Sequence, residues 1–148
     1  MKRLAINFFK EDISYKISDI NHIRDWINKT INEERHQLQE LNFILCSDEY
    51  LLHINQQYLN HDTYTDIITF DNSEEEGIIY GDIFISIERV KENAKTFGVK
   101  TADELHRVFI HGTLHLLGYP DKKKHERALM TEKENFYLSK RNFSESKS

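Results

Sequence analysis

Residues 101–121 read Thr-Ala-Asp-Glu-Leu-His-Arg-Val-Phe-Ile-His-Gly-Thr-Leu-His-Leu-Leu-Gly-Tyr-Pro-Asp, and the rest of the chain is best read outward from them. Thr101 with Glu104 three residues later forms a capping box ahead of Leu105, Val108 and Phe109, which recur at helical spacing. The helix is expected to end near Leu117, because Gly118 can turn left-handed and Pro120 cannot continue the hydrogen-bond ladder. On such a helix His111 and His115 project from one face, so both ring nitrogens can reach one ion at about 2.0–2.1 Å. Among eight histidines such a pair is weak by itself; the continuation to Gly118 and Asp121 strengthens it. Gly118 lets the chain reverse, and Asp121 returns toward the same point.

The spacing is that of the long zinc signature H-E-x-x-H-x-x-G-x-x-H, with Gly112 in place of the Glu and Asp121 in place of the third His. A carboxylate oxygen binds zinc at about 2.0–2.2 Å, so His111, His115 and Asp121 form a chemically reasonable ligand set for one Zn²⁺. Three protein ligands with an open position describe a catalytic centre rather than a closed structural one. In peptidases of this pattern the Glu is the general base, so Gly112 removes the main support for a metallopeptidase. The blander alternative for the histidines is a satisfied, half-buried pair, and for Asp121 an N-cap of the following helix. His125 is a rival ligand, Glu126 a candidate to orient a ligating imidazole, and Met130 a core residue.

Upstream, residues 2–9 read as a strand, and Ser18 caps a helix in which Ile20, Ile23, Trp26, Ile27 and Ile31 recur. Residues 41–46 form a short buried strand that carries Cys46, and Ser47-Asp48 open a second helix with Leu51, Leu52, Ile54 and Tyr58. Thr65 to Phe70 is β-branched and strand-like, residues 73–77 are a hairpin loop, and Ile78 to Ile87 alternates as a further strand. A helix over about Arg89 to Phe97 stops at Gly98, and a last one runs from about Lys124 to Lys140. This order predicts an α+β fold with one mixed sheet of about four strands, the metal site lying on a helix of the C-terminal half and the turn after it. Residues 1–141 are expected to form a single domain and residues 142–148 a frayed tail.

Composition narrows the function classes. The chain has 148 residues, 39% hydrophobic and 30% charged, enough for a packed core and too apolar for disorder. No apolar run approaches the roughly 18–20 residues of a membrane span, and Asn7 and Lys10 interrupt the only leader-like stretch. A single cysteine suits a reducing compartment, so a cytoplasmic protein is expected. The net charge of −5 argues against binding nucleic acid by bulk charge. RNA contact would need a local patch, for which Lys122, Lys123, Lys124 and Arg127 are candidates, extended by Lys100 and Arg107. Asp62 and Asp66 are either cleft carboxylates or turn caps, and Cys46 has no adjacent base that would make it a nucleophile.

The segment His111 to Tyr119 resembles the signature of the YbeY endoribonucleases, bacterial rRNA maturation factors. The resemblance extends to Ile54-Asn55, Tyr58, Asp62, Thr65 to Phe70, Gly81-Asp82-Ile83, Glu126 and Met130, about half the chain. It implies an α+β metal-dependent hydrolase that cuts RNA, works at the 3′ end of small-subunit (16S) rRNA and takes part in ribosome quality control. The implied partners are that RNA and the ribosome or its assembly proteins. The family's three metal-binding histidines correspond to His111, His115 and Asp121, the last a departure. Leu59 is another: the family usually has arginine there, able to bind phosphate bidentately as leucine cannot. The rival readings are a ribosome-assembly factor with a structural metal and, more remotely, the peptidase. No residue for proton transfer is legible; Asp62, Asp66 and Glu126 are candidates only by type and possible position.

Overall fold

The computed structural model describes residues 5–59 and 65–143. Its elements follow the order β1 (Ile6–Glu11), α1 (Ile20–Glu33), β2 (Gln37–Cys46), α2 (Asp48–Leu59), β3 (Ile67–Asp71), β4 (Ile78–Ser86), α3 (Ile87–Phe97), α4 (Thr101–Leu116) and α5 (Lys124–Ser139). The strands form one mixed sheet in the order β1-β2-β4-β3. β1, β2 and β4 are mutually parallel, and β3 pairs antiparallel with β4 at the edge. The fold is α+β with four strands, as expected.

Register assigns the two faces of the sheet. Ile6, Leu41 and Gly81 share one row, and Phe8, Phe43, Ile83 and Thr69 the next on the same face. Leu45, Ile85 and Ile67 continue it, and α1 and α4 cover this face. Phe43 and Phe109 lie 4.7 Å apart and Phe8 stacks on Phe43 at 5.4 Å, so α4 is held by interlocked rings. The fully buried rings of Phe43 and Phe109 each contribute about 1.5–3 kcal/mol. On the opposite face α2 packs Leu51 and Ile54 over Cys46 and Ile68. Cys46 is a core residue: burial pushes its thiol up to about 12, which leaves it inert as a nucleophile.

Helix starts differ from the sequence reading in instructive ways. Asp19, not Ser18, is the N-cap of α1, with φ 61° and no side-chain capping bond. The capping box at Thr101 is not formed, because Thr101 is already helical and Lys100 is the N-cap. Glu104 instead turns inward to 7% exposure, where burial raises the pKa of its carboxyl. α3 starts at Ile87, straight out of β4, because the Ser86 hydroxyl accepts from Arg89 N at 3.2 Å. Phe143, placed in the tail by the sequence reading, is buried and stacks on His22 at 5.7 Å.

Candidate metal centre

Two glycines set the roll of α4. A Cβ on Gly112 would lie 2.9–3.0 Å from Ile83 and Ile67 side-chain atoms, so this helix position is pressed directly against the sheet. One turn on, Leu116 lies 3.2 Å from where a Cβ of Gly81 would stand; that Cβ would also meet the Phe70 carbonyl at 2.5 Å. Any side chain at position 112 would have to displace Ile83 and Ile67, which opposes a glutamate at the position of the peptidase base. With this face committed to the sheet, His111 and His115 fall on the flank, with side chains 23% and 28% exposed.

The turn after α4 brings in the third residue. Tyr119 N donates to Leu114 O and Gly118 N to His115 O, both at 3.0 Å, around Gly118 at φ 105°. This is a Schellman motif, in which the left-handed residue is easiest for glycine. The Tyr119 hydroxyl then donates to Glu34 Oε1 at 2.6 Å, tying the turn to the end of α1. Glu34 also accepts from the Tyr137 hydroxyl and from Lys133 Nζ. Burial opposes its ionisation, but these hydrogen bonds outweigh burial and lower its pKa. From this anchored turn Asp121 Oδ2 reaches 3.1 Å from His115 Nε2 and 3.3 Å from His111 Nε2.

The donor set fits a small divalent cation. One ligand atom from each of His111, His115 and Asp121 lies within 4.8 Å of the others. Tetrahedral ligation at about 2.0–2.2 Å puts neighbouring donor atoms roughly 3.3–3.5 Å apart, close to the separations seen here. On its far side His111 Nδ1 is 2.6 Å from Glu134 Oε2. A neutral His111 that donates its Nδ1–H to Glu134 carries no proton on Nε2, so Nε2 and Asp121 Oδ2 face one another with lone pairs. In that state the cluster could hold a metal ion between them. Burial disfavours the charged His111 ring, but the hydrogen bond and charge of Glu134, with Asp121 and Asp66, raise its pKa overall.

The remaining sequence candidates separate clearly. His125 is exposed and lies outside the cluster. Asp121 does not cap α5, whose N-cap is Lys123. Glu126 does not orient a ligand: its Oε1 accepts from Lys122 N and Lys123 N at the helix start. Met130 is core. Lys122, Lys123, Lys124 and Arg127 are exposed immediately after Asp121, whereas Lys100 stands exposed at the start of α4. Arg107 is not a free cation; its guanidinium donates to Glu134 Oε1 and Asn135 Oδ1, each at 2.8 Å. Asp66 is partly buried, Leu59 is the last residue of α2, and Asp62 lies outside the described residues. Glu134 was missed, although one signal pointed to it. It shares a helical stripe with buried Met130 and Tyr137, where a carboxylate needs a partner.

Comparisons with known proteins agree on one family. The model of the Endoribonuclease YbeY family matches residues 6–142. A protein named Endoribonuclease YbeY from Cytophaga hutchinsonii is 54% identical over 143 residues, covering 97% of this chain and 100% of the relative. One of the same name from Amoebophilus asiaticus is 47% identical over 138 residues, covering 93% and 94%. The solution structure of TM1509 from Thermotoga maritima superposes with a TM-score of 0.67 at 30% identity, over 90% of this chain and 87% of that one.

Proposed function

The chain belongs to the Endoribonuclease YbeY family, and on that footing we propose that it is a metal-dependent endoribonuclease. Its substrate on this reading is the 3′ region of 16S rRNA, cut during small-subunit maturation and ribosome quality control. Its setting is the cytoplasm and its partners are that RNA and the ribosome or its assembly proteins. Among the described residues no helix is long and apolar enough to cross a membrane. The observation that carries the reading is the convergence of His111 Nε2, His115 Nε2 and Asp121 Oδ2 on a solvent-facing point.

His111, His115 and Asp121 would hold one Zn²⁺, a metal suited to two imidazoles and a carboxylate. When bound, the ion supplies Lewis-acid polarisation of a phosphoryl oxygen and a more acidic water. The protein supplies the rest. With side-chain exposures of 23–31%, the three residues leave one side open to a substrate. Lys122, Lys123, Lys124 and Arg127 line the chain beside Asp121 and hold the RNA phosphates despite the net charge of −5. Leu59 cannot do so, and Arg107 is committed to Glu134 and Asn135. Of the described carboxylates considered for proton transfer, Glu126 is occupied by backbone N–H groups, which favours Asp66.

The test is cleavage of an RNA spanning the small-subunit 3′ region by purified protein, with chelator and with zinc restored. Cleavage that chelation stops, zinc restores and His115→Ala abolishes is expected. Cleavage that persists in chelator and in His115→Ala contradicts the reading.

A further inference from the structure

The contacts behind His111 form a line of fixed polarity. Asn135 and Glu134, adjacent on α5, both accept from Arg107, so its two terminal nitrogens are held in a fork. Glu134 is 7% exposed and uses both oxygens: Oε1 takes Arg107 and Oε2 takes His111 Nδ1 at 2.6 Å. A carboxylate pinned at both ends cannot rotate, and neither can the imidazole that it holds. Arg107 and His111 lie one turn apart on α4, so Glu134 also bridges α4 to α5 through the same two bonds.

We propose that Glu134, locked by Arg107, is the positioning residue of the metal centre. It orients the His111 ring and keeps the proton of the neutral ring on Nδ1, so that the Nε2 lone pair points at the site shared with His115 and Asp121. Arg107 also offsets the Glu134 charge, so a centre that already carries the Asp121 carboxylate does not gain an uncompensated second anion. This rests on the metal-centre reading above. It assigns Arg107 to the centre rather than to the RNA-binding rim.

The experiment compares wild type with Glu134→Gln, Glu134→Ala and Arg107→Met. Zinc affinity is measured by chelator competition. The tautomer of the neutral His111 ring is read by ¹⁵N-histidine NMR on metal-free protein at alkaline pH. Outer-shell partners of ligating histidines are generally worth about 10–100-fold in affinity. Glu134→Ala is expected to lose about a hundredfold and to move the His111 proton toward Nε2. Glu134→Gln leaves one acceptor oxygen for two donors; with Arg107 holding that oxygen, the amide N–H faces Nδ1, so this variant too should move the His111 proton toward Nε2 and lose about 10–100-fold. Arg107→Met should fall between wild type and Glu134→Ala. Wild-type affinity and an unchanged tautomer in folded Glu134→Ala would overturn the proposal. Equal losses in Glu134→Ala and the isosteric Glu134→Gln, with no change of tautomer in either, would reduce Glu134 to a packing residue and overturn it too. Failure of the wild type to bind zinc would instead overturn the metal reading on which the proposal rests. The NMR comparison needs no metal and keeps the two failures distinct.

Discussion

His106 and His111 stand five positions apart on α4, each next to an arginine and an acid, and the order of the partners is reversed. At His106 the cation touches the ring: Arg141 lies 2.7 Å from Nδ1 and pairs in turn with Asp103 at 3.0 Å. At His111 the anion touches the ring, and Arg107 stands behind it. Burial pushes the His106 pKa down and Arg141 adds to it, to about 4, while Asp103 and Asp19 only partly oppose. His111 is pushed up despite its burial. His106 also packs edge-on against Trp26 and Phe143, within a closed core, whereas His111 opens toward Asp121. One helix therefore carries a histidine held neutral for packing and another whose ring lies between two carboxylates, in a cluster that could hold a metal ion. Residue type does not separate them; the sign of the nearest partner does.

The strongest way to break this contrast is to truncate each ring. His111→Ala should cost more than the roughly 10–100-fold in zinc affinity that an outer-shell loss costs, and RNA cleavage should fall with it. His106→Gln should leave metal uptake within about twofold of wild type, checked by elemental analysis. An equal effect of the two would erase the distinction.

Acid titration of the metal-free protein sharpens it. The His106 pKa is about 4 when folded against 6.5 as reference, so its neutral form contributes stability above pH 6.5 that is lost as pH falls toward 4, about 3 kcal/mol in all. His111 acts with the opposite sign. Its raised folded pKa contributes stability below the unfolded value and loses it as pH rises through the folded value. Chemical denaturation across pH should show the acid-side loss in wild type and a smaller one in His106→Gln.

Between the two regions lies the packing that fixes both. Gly112→Ala puts a methyl within 3.0 Å of Ile83 and Ile67 and should destabilise by about 1–3 kcal/mol, read from the denaturation midpoint. The smallest effect belongs to the cationic rim. Alanine at Lys122, Lys123 and Lys124 together should reduce the salt slope of RNA binding by about two units, with zinc content unchanged.

Local signals carried much of this. The four-residue spacing of His111 and His115, the Gly118 stop and the return to Asp121 were legible, because helix geometry and glycine's left-handed freedom act within a few residues. The strand segments were legible as apolar runs, but not the insertion of β4 between β2 and β3, which depends on parallel pairings between residues about 40 positions apart. Proximity in sequence suggests roles for Glu126 and Arg107 at the site, but it does not say where a side chain turns. Glu126 bends back to its own helix start, and Arg107 turns to α5. Glu134 lies 23 positions beyond His111 and meets it only when α5 docks. Its trace in the sequence was a carboxylate on an apolar stripe.

The most direct test of the account is the metal content of freshly purified protein, wild type beside Asp121→Ala, by elemental mass spectrometry. The account predicts about one zinc per wild-type chain and a clear loss in the variant. A wild-type protein that folds normally without metal, or an Asp121→Ala variant that keeps its full complement, would contradict it.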